Sequence, residues 1–219
     1  MGAPKRQLST IELGDAPEAW AAAGFHVEQD RLRLGSTVLR LTGDGGGVRG
    51  WAIDGVTHDL DGLAAVEAGG TEAASLEVST SAEGPPHPNG VVSIDHVVVR
   101  TGDVERTVSA FEAAGLEVRG GRSTSSYGSP MRQVFFWAGD VIVELVGPDA
   151  REPTDEPTTF FGLALVSDDL DATATTLGEL LSTPKDAVQA GRRIAGLRGG
   201  QVGITVPVAV MSPHVRPTA

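Results

Sequence analysis

The sequence predicts an α+β fold built from tandem βαβββ modules. Three observations predict it. First, HVVVRTGDVERTVSAF (96–111) and GLALVSDDLDATATTL (162–177) share one pattern of apolar strand, polar turn and helix. Second, the strands that follow recur in the same order. MRQVFFW (131–137) matches GRRIAGL (191–197), aligning Arg132 with Arg192, and VIVELVGP (141–148) matches PVAVMSP (207–213), aligning Glu144 with Ala209. The interval from His96 to Glu144 equals that from Gly162 to Ala209 to within one residue. Third, 29 glycines and 13 prolines in 219 residues supply the turns that many short strands need, and no cysteine is present to staple the fold.

Each element follows from local chemistry. The first helix opens on Asp103, a side chain suited to cap free backbone N–H groups. Val104, Val108 and Phe111 repeat at i, i+4, i+7, one narrow stripe for a sheet, and Gly115 suits the helix end. The second opens at Asp168-Asp169, with Leu170, Ala174 and Leu177 at the same spacing. A weaker copy lies upstream. TIELGDAPEAWAAAGFHV (10–27) reads as a strand, Asp15 as N-cap and a helix with Ala16, Trp20 and Ala23 on one face. LGSTVLRLTG (34–43) resembles WAGDVIVELVG (137–147) and places Arg40 where Glu144 stands. GWAIDGVTHDLDGLAAV (50–66) reads as a fourth, truncated start, after which SLEVST (75–80) is the one strand candidate. EGPPHPNG reads as a linker. The expected organisation is a degenerate pair over 1–82, a linker over 83–90 and a two-module unit over 91–219.

Composition excludes several functions. Lys and Arg number 17 against 29 Asp and Glu, a formal charge of −12. Phosphate backbones and anionic membranes need a basic surface, so neither nucleic acid nor membrane is an expected partner. No apolar run approaches the roughly 20 residues of a membrane helix, and no signal peptide is recognisable, so a cytoplasmic protein is expected. Without cysteine, any metal must be held by His, Asp or Glu. No nucleophile–base motif such as GxSxG occurs.

The tandem repeat, with His96 on its first strand (IDHVVV, 94–99) and Glu144 on its last (VIVELVGP), resembles the vicinal oxygen chelate superfamily. That superfamily includes glyoxalases, extradiol dioxygenases and bleomycin-resistance proteins, and within it the chain looks like actinobacterial glyoxalase-like proteins of unassigned activity. The resemblance implies curved mixed sheets with helices on the outer face, the concave side forming a cup for a small-molecule ligand. It implies His96 and Glu144 as metal ligands and a divalent metal (Zn, Ni, Mn, Co or Fe) that polarises substrate oxygens. It also admits a homodimer. The set is incomplete. Gly162 and Ala209 occupy the matching places in the second module, and Leu8 and Arg40 those in the N-terminal module. The alternatives are therefore a binding protein with an incomplete metal site and a metal-dependent lyase, isomerase or dioxygenase.

Strand alternation extends the candidate set. If His96 faces the cup, so do Val98 and Arg100; if Glu144 does, so does Ile142. Either Phe135 or Phe136 faces it. The lining candidates are Val98, Arg100, Arg132, Phe135, Ile142 and Arg193, the arginines being suited to a ligand carboxylate or phosphate. RSTSSYGSP (122–130) reads as a loop at the cup mouth with Tyr127 as a lid. His26, His58, His87 and His214 read as surface residues.

Overall fold

The computed structural model describes residues 6–68, 85–125, 130–149 and 154–214. SLEVST and Tyr127 lie outside them. An N-terminal unit contains β1 (Leu8–Leu13), α1 (Pro17–Ala22), β2 (Arg31–Leu34), β3 (Thr37–Leu41) and β4 (Val48–Ile53). The first C-terminal module runs β5 (Val91–Arg100), α2 (Val104–Ala113), β6 (Val118–Thr124), β7 (Met131–Ala138) and β8 (Val141–Pro148). The second runs β9 (Thr159–Ser167), α3 (Leu170–Leu177), β10 (Lys185–Asp186), β11 (Arg193–Leu197) and β12 (Val208–Met211). Both are βαβββ units, and the fold is α+β with mixed sheets.

The two C-terminal modules share one eight-stranded sheet, ordered β10-β11-β12-β9-β5-β8-β7-β6. Its centre is the antiparallel pair β5–β9. On either side the first strand of a module lies parallel to its last, β5 beside β8 and β9 beside β12. The order reads the same from either edge, so the modules are related by an approximate two-fold axis between β5 and β9. Register then fixes equivalences. Val98 lies opposite Glu144 and Ala164 opposite Ala209, so Gly162 is the counterpart of His96. Phe135 lies opposite Glu144 and Gly196 opposite Ala209, so Arg132 corresponds to Arg193. This corrects the sequence alignment, which paired Arg132 with Arg192.

One face of this sheet packs on helices. Val97, Val99, Val134, Phe136, Val143 and Leu145 are buried there, and Phe136 meets Phe111 of α2 at 5.1 Å between ring centroids. Burying each such side chain contributes about 2 kcal/mol. The caps are as expected for both helices: Asp103 accepts from Arg106 N–H, and Asp169 accepts from the N–H groups of Asp171 and Ala172. Gly115, with φ of +84°, turns the chain out of α2.

The N-terminal sheet, ordered β2-β3-β1-β4, repeats the same centre on a smaller scale. β3 runs parallel to β1, and β4 runs antiparallel on the other side. Thr10 lies opposite Val38 and Glu12 opposite Arg40, so Thr10, not Leu8, stands where His96 stands in β5. Leu8 is fully buried instead. Asp15 does not cap α1. The cap position is Ala16, with Pro17 at the first turn, and the Asp15 carboxylate accepts from Trp20 Nε1 at 3.2 Å and Thr205 Oγ1 at 2.6 Å.

These contacts join the two sheets through one hydrophobic core. Trp51 of β4 packs edge-on to Phe160 of β9 and tilted against Phe111 of α2. Asp61 accepts from Arg106 Nε at 2.7 Å and from the hydroxyls of Thr107 and Thr158, tying the chain after β4 to α2. His87 is buried rather than on the surface. Its Nδ1 accepts from His26 N–H at 2.9 Å and its Nε2 donates to the Arg33 carbonyl at 2.8 Å. Asn89 donates to the Ala23 carbonyl, so the end of the expected linker is bonded to the N-terminal unit.

Candidate functional site

The face of the eight-stranded sheet opposite the helices forms the cup. Its residues follow in cross-strand rows. One row reads Trp137, Ile142, His96, Ala164, Ala209 and Gly196. The next reads Phe135, Glu144, Val98 and Gly162. A third reads Arg122, Gln133, Val146 and Arg100. The β7–β8 side is bulky, whereas the β9–β12 side is stripped to glycine and alanine.

A chain of polar contacts crosses this apolar floor. His96 Nδ1 lies 2.7 Å from Asp95 Oδ1, and its Nε2 lies 3.3 Å from Glu144 Oε2. The other Glu144 oxygen accepts from Gln133 Nε2, and Gln133 Oε1 accepts from Arg122 Nε. Asp95 Oδ2 takes Arg192 Nη2 at 2.7 Å and lies 3.2 Å from His214 Nε2. Arg192 also donates to the Ser212 carbonyl and to Gln189. Burial alone would raise the Asp95 carboxyl. The hydrogen bonds and charges of His96 and Arg192 outweigh it and lower the carboxyl to about 2.

A neutral imidazole carries one N–H, yet carboxylates face both ring nitrogens of His96. His96 and Glu144 are 16% and 13% exposed in their side chains, at the floor of the cup.

The structure brings His96, Glu144, Val98, Phe135 and Ile142 together on this face, with Arg100 at its rim. Phe136 points the other way, into the core. Arg132 and Arg193 do not line the cup. Each lies on the helix side of its strand and pairs with the first turn of its module's helix, Arg132 with Glu105 and Arg193 with Asp171. They are two-fold equivalents, and sequence reading could not separate the faces because both sets of alternate residues in β7 are largely apolar. Asp95, Arg192, Gln133 and Arg122 were missed. Strict alternation puts Asp95 among the helix-facing residues, but a register shift between Ile94 and His96 frees it to meet its neighbour. The available signal was an acid beside a histidine inside an apolar strand.

The donor set does not fit a chelated metal. His96 and Glu144 are two donors, fewer than the three protein ligands of typical catalytic zinc sites. Among the described residues no group of three or more His, Asp or Glu could hold an ion. A side chain at Gly162 has no room, since a Cβ there would stand 2.5 Å from the Pro207 carbonyl oxygen. Asp168 and Asp169, the remaining acids near the second strand, sit exposed at the start of α3, where Asp169 is the cap. An open groove of about 600 Å³ runs along Leu197 to Pro207 but shares no lining residue with the cup rows.

Comparisons with known proteins agree with this architecture. The chain is similar in structure to a triple mutant of 4-hydroxymandelate synthase from Streptomyces coelicolor, with a TM-score of 0.65 and 16% identity over 99% of this chain and 95% of that one. It is similar to a catechol 2,3-dioxygenase with a TM-score of 0.56 and 15% identity over 99% and 91%. At such identities the likeness is one of fold. No curated protein matches the sequence. No described helix is long and apolar enough to cross a membrane. The family model for the glyoxalase-like domain matches residues 94–206, slightly more than half of the chain. The chain belongs to the glyoxalase-like domain family, within the vicinal oxygen chelate superfamily.

Proposed function

We propose that the cup of the eight-stranded sheet is the receptor for a small organic molecule, in a cytoplasmic protein with no nucleic-acid or membrane partner. The observation that carries this reading is the His96–Glu144 pair. It is a partly exposed polar pair on a face otherwise lined by Val98, Phe135, Ile142 and Trp137. Trp137 on this face is 44% exposed. Concave, mainly apolar sites with a few convergent polar groups are the usual form of ligand sites.

The rival reading is a divalent-metal-dependent lyase, isomerase or dioxygenase with His96 and Glu144 as ligands. The two-donor set speaks against it.

Thermal melting of the full chain against a library of small organic molecules tests the proposal. A ligand that binds only the folded state raises the melting temperature by mass action. At least one compound is expected to do so for the parent and not for His96→Ala or Glu144→Ala. No shift with any compound, or equal shifts in the variants, overturns the proposal. Elemental analysis of the purified protein tests the rival, which requires about one transition metal per chain.

A further inference from the structure

The two-fold symmetry of the sheet sets one pair of residues apart. In the β5–β9 ladder the register shifts between Ile94 and His96 and again between Val98 and Val99. The first shift leaves Asp95 as an extra residue on β5, and the second leaves Phe161 as an extra residue on β9. His96 corresponds to Gly162, so Asp95 corresponds to Phe161, and the two modules carry the same bulge. A bulge re-aims the side chain of its extra residue. In the second module that side chain is Phe161, 46% exposed, with the Arg100 guanidinium over its ring at 5.6 Å. In the first it is a carboxylate turned onto the neighbouring imidazole.

The partner of Asp95 is equally singular. Arg193 corresponds to Arg132, so Arg192 corresponds to Met131. The buried Asp95–Arg192 pair therefore has apolar residues, Phe161 and Met131, at the equivalent places, and it is not part of the repeated framework. A buried ion pair is typically no more stabilising than well-packed apolar side chains of its size, so stability alone does not account for it. The two Asp95 oxygens divide the contacts between them. Oδ2 is held by Arg192 Nη2 at 2.7 Å and faces His214 Nε2 at 3.2 Å. Arg192 is itself fixed by the Ser212 carbonyl, at 3.0 and 2.8 Å, and by Gln189 Oε1 at 2.5 Å. Oδ1 is left for His96 Nδ1 at 2.7 Å. A carboxylate only accepts, so the N–H of this contact belongs to Nδ1, and the ring presents Nε2 on the side of Glu144 and the cup.

Resting on the proposed small-molecule cup, we infer that Asp95 is the positioning residue of that site. It holds the imidazole of His96 with Nδ1–H bonded to its own Oδ1 and Nε2 turned towards the ligand, and Arg192 holds Asp95 in turn. The hydrogen bond made by one ring nitrogen sets the role of the other. The second module, with Gly162 and Ala209 where the first has His96 and Glu144, thus serves the site from behind, through Arg192.

Nitrogen NMR spectra of the histidine rings, recorded on the full chain at one mildly alkaline pH without ligand, provide the test. Protonated and bare ring nitrogens resonate far apart, and His96 is assigned by the loss of its signals in His96→Gln. In the parent, Nδ1 of His96 is expected at the protonated position. In Glu144→Ala it is expected to stay there. In the double variant Asp95→Leu with Arg192→Met the carboxylate facing Nδ1 is gone, while Glu144 still faces Nε2. The two nitrogens are then expected to exchange roles, Nδ1 moving to the bare position and Nε2 to the protonated one. The double variant leaves no unpaired charge from this pair, so a purely structural pair would leave the ring as it is in the parent. A bare Nδ1 in the parent or in Glu144→Ala, or a protonated Nδ1 in the double variant, overturns the assignment and leaves the cup reading standing. The first two readings hold whether or not the double variant folds. The cup reading is decided separately, by melting with small molecules, whatever the spectra show.

Discussion

His96 and Asp95 are adjacent in sequence, yet their side chains meet, Nδ1 of the imidazole standing 2.7 Å from Oδ1 of the carboxylate. Consecutive residues of a regular strand face opposite sides. The register shift between Ile94 and His96 breaks that rule at one place and joins the cup floor to a buried ion pair. Asp95 is 1% exposed in its side chain and Arg192 2%; His96 and Arg192 together compensate the Asp95 carboxylate for leaving water, and Asp95 is the counter-charge of Arg192.

The first prediction follows from that dependence. Asp95→Asn leaves the Arg192 guanidinium buried without its counter-charge, at a cost of about 3 kcal/mol. Urea unfolding measures it. A double variant, Asp95→Leu with Arg192→Met, removes both charges and is expected to recover more than half of the loss. If Asp95→Asn unfolds within about 0.5 kcal/mol of the parent, the pair does not stabilise the fold.

The second concerns acid. The Asp95 carboxyl is held at about 2, below its ordinary 3.8, so its contribution is full above pH 3.8 and is lost as pH falls through 2. Its size is about 2 kcal/mol. Stability measured from pH 5 down to pH 2 should fall more steeply for the parent than for Asp95→Asn. Parallel curves would show that other groups carry the acid limb.

The third concerns mildly acidic pH. Burial lowers the affinity of His87 for a second proton, the Arg33 carbonyl raises it, and the charge of His26 lowers it; the net direction is down. A histidine shifted down stabilises the fold above its ordinary 6.5 and loses that contribution as pH falls below it. Protonating Nδ1 also ends its acceptance from His26 N–H. The urea midpoint of the parent should drop between pH 7.5 and pH 5.5, and His87→Gln should show a smaller drop. An equal drop in both would assign the effect to another group.

Part of this was readable in the sequence because it is local. Asp103 and Asp169, with the apolar stripes behind them, mark both helices, and the repeat of strands around them specifies the shared sheet. The cup pair was legible too, since His96 and Glu144 interrupt apolar strands at matching points. What was hidden depends on register. A one-residue slide turned Arg192 into the partner of Arg132, because the apolar run of β7 leaves both faces plausible. Leu8 stood in for Thr10 for the same reason, a shift between Leu8 and Thr10 that no periodicity announces. The chain from Arg122 through Gln133 to Glu144 crosses three strands, so no local pattern could reveal it.

The last prediction addresses the missing metal donor. Gly162 is the two-fold counterpart of His96, and the simplest repair of a metal set would place a histidine there. The backbone forbids it. A Cβ at Gly162 would stand 2.5 Å from the Pro207 carbonyl oxygen and 3.2 Å from Pro207 Cβ, so β9 and the chain entering β12 would have to part. They are tied there by Leu163 N–H donating to that same carbonyl at 2.9 Å. Gly162→Ala should therefore cost about 1 to 3 kcal/mol, the usual range for overfilling a packed site. Gly162→His should cost at least as much and retain no metal on dialysis. Ala209→Ser, a small change at the neighbouring half-buried position, should melt close to the parent. A Gly162→His variant that keeps the parent's melting temperature and holds one metal ion per chain would show that the site lacks a ligand only by substitution. The geometry instead has the second module closed against one, with β9 packed directly onto Pro207.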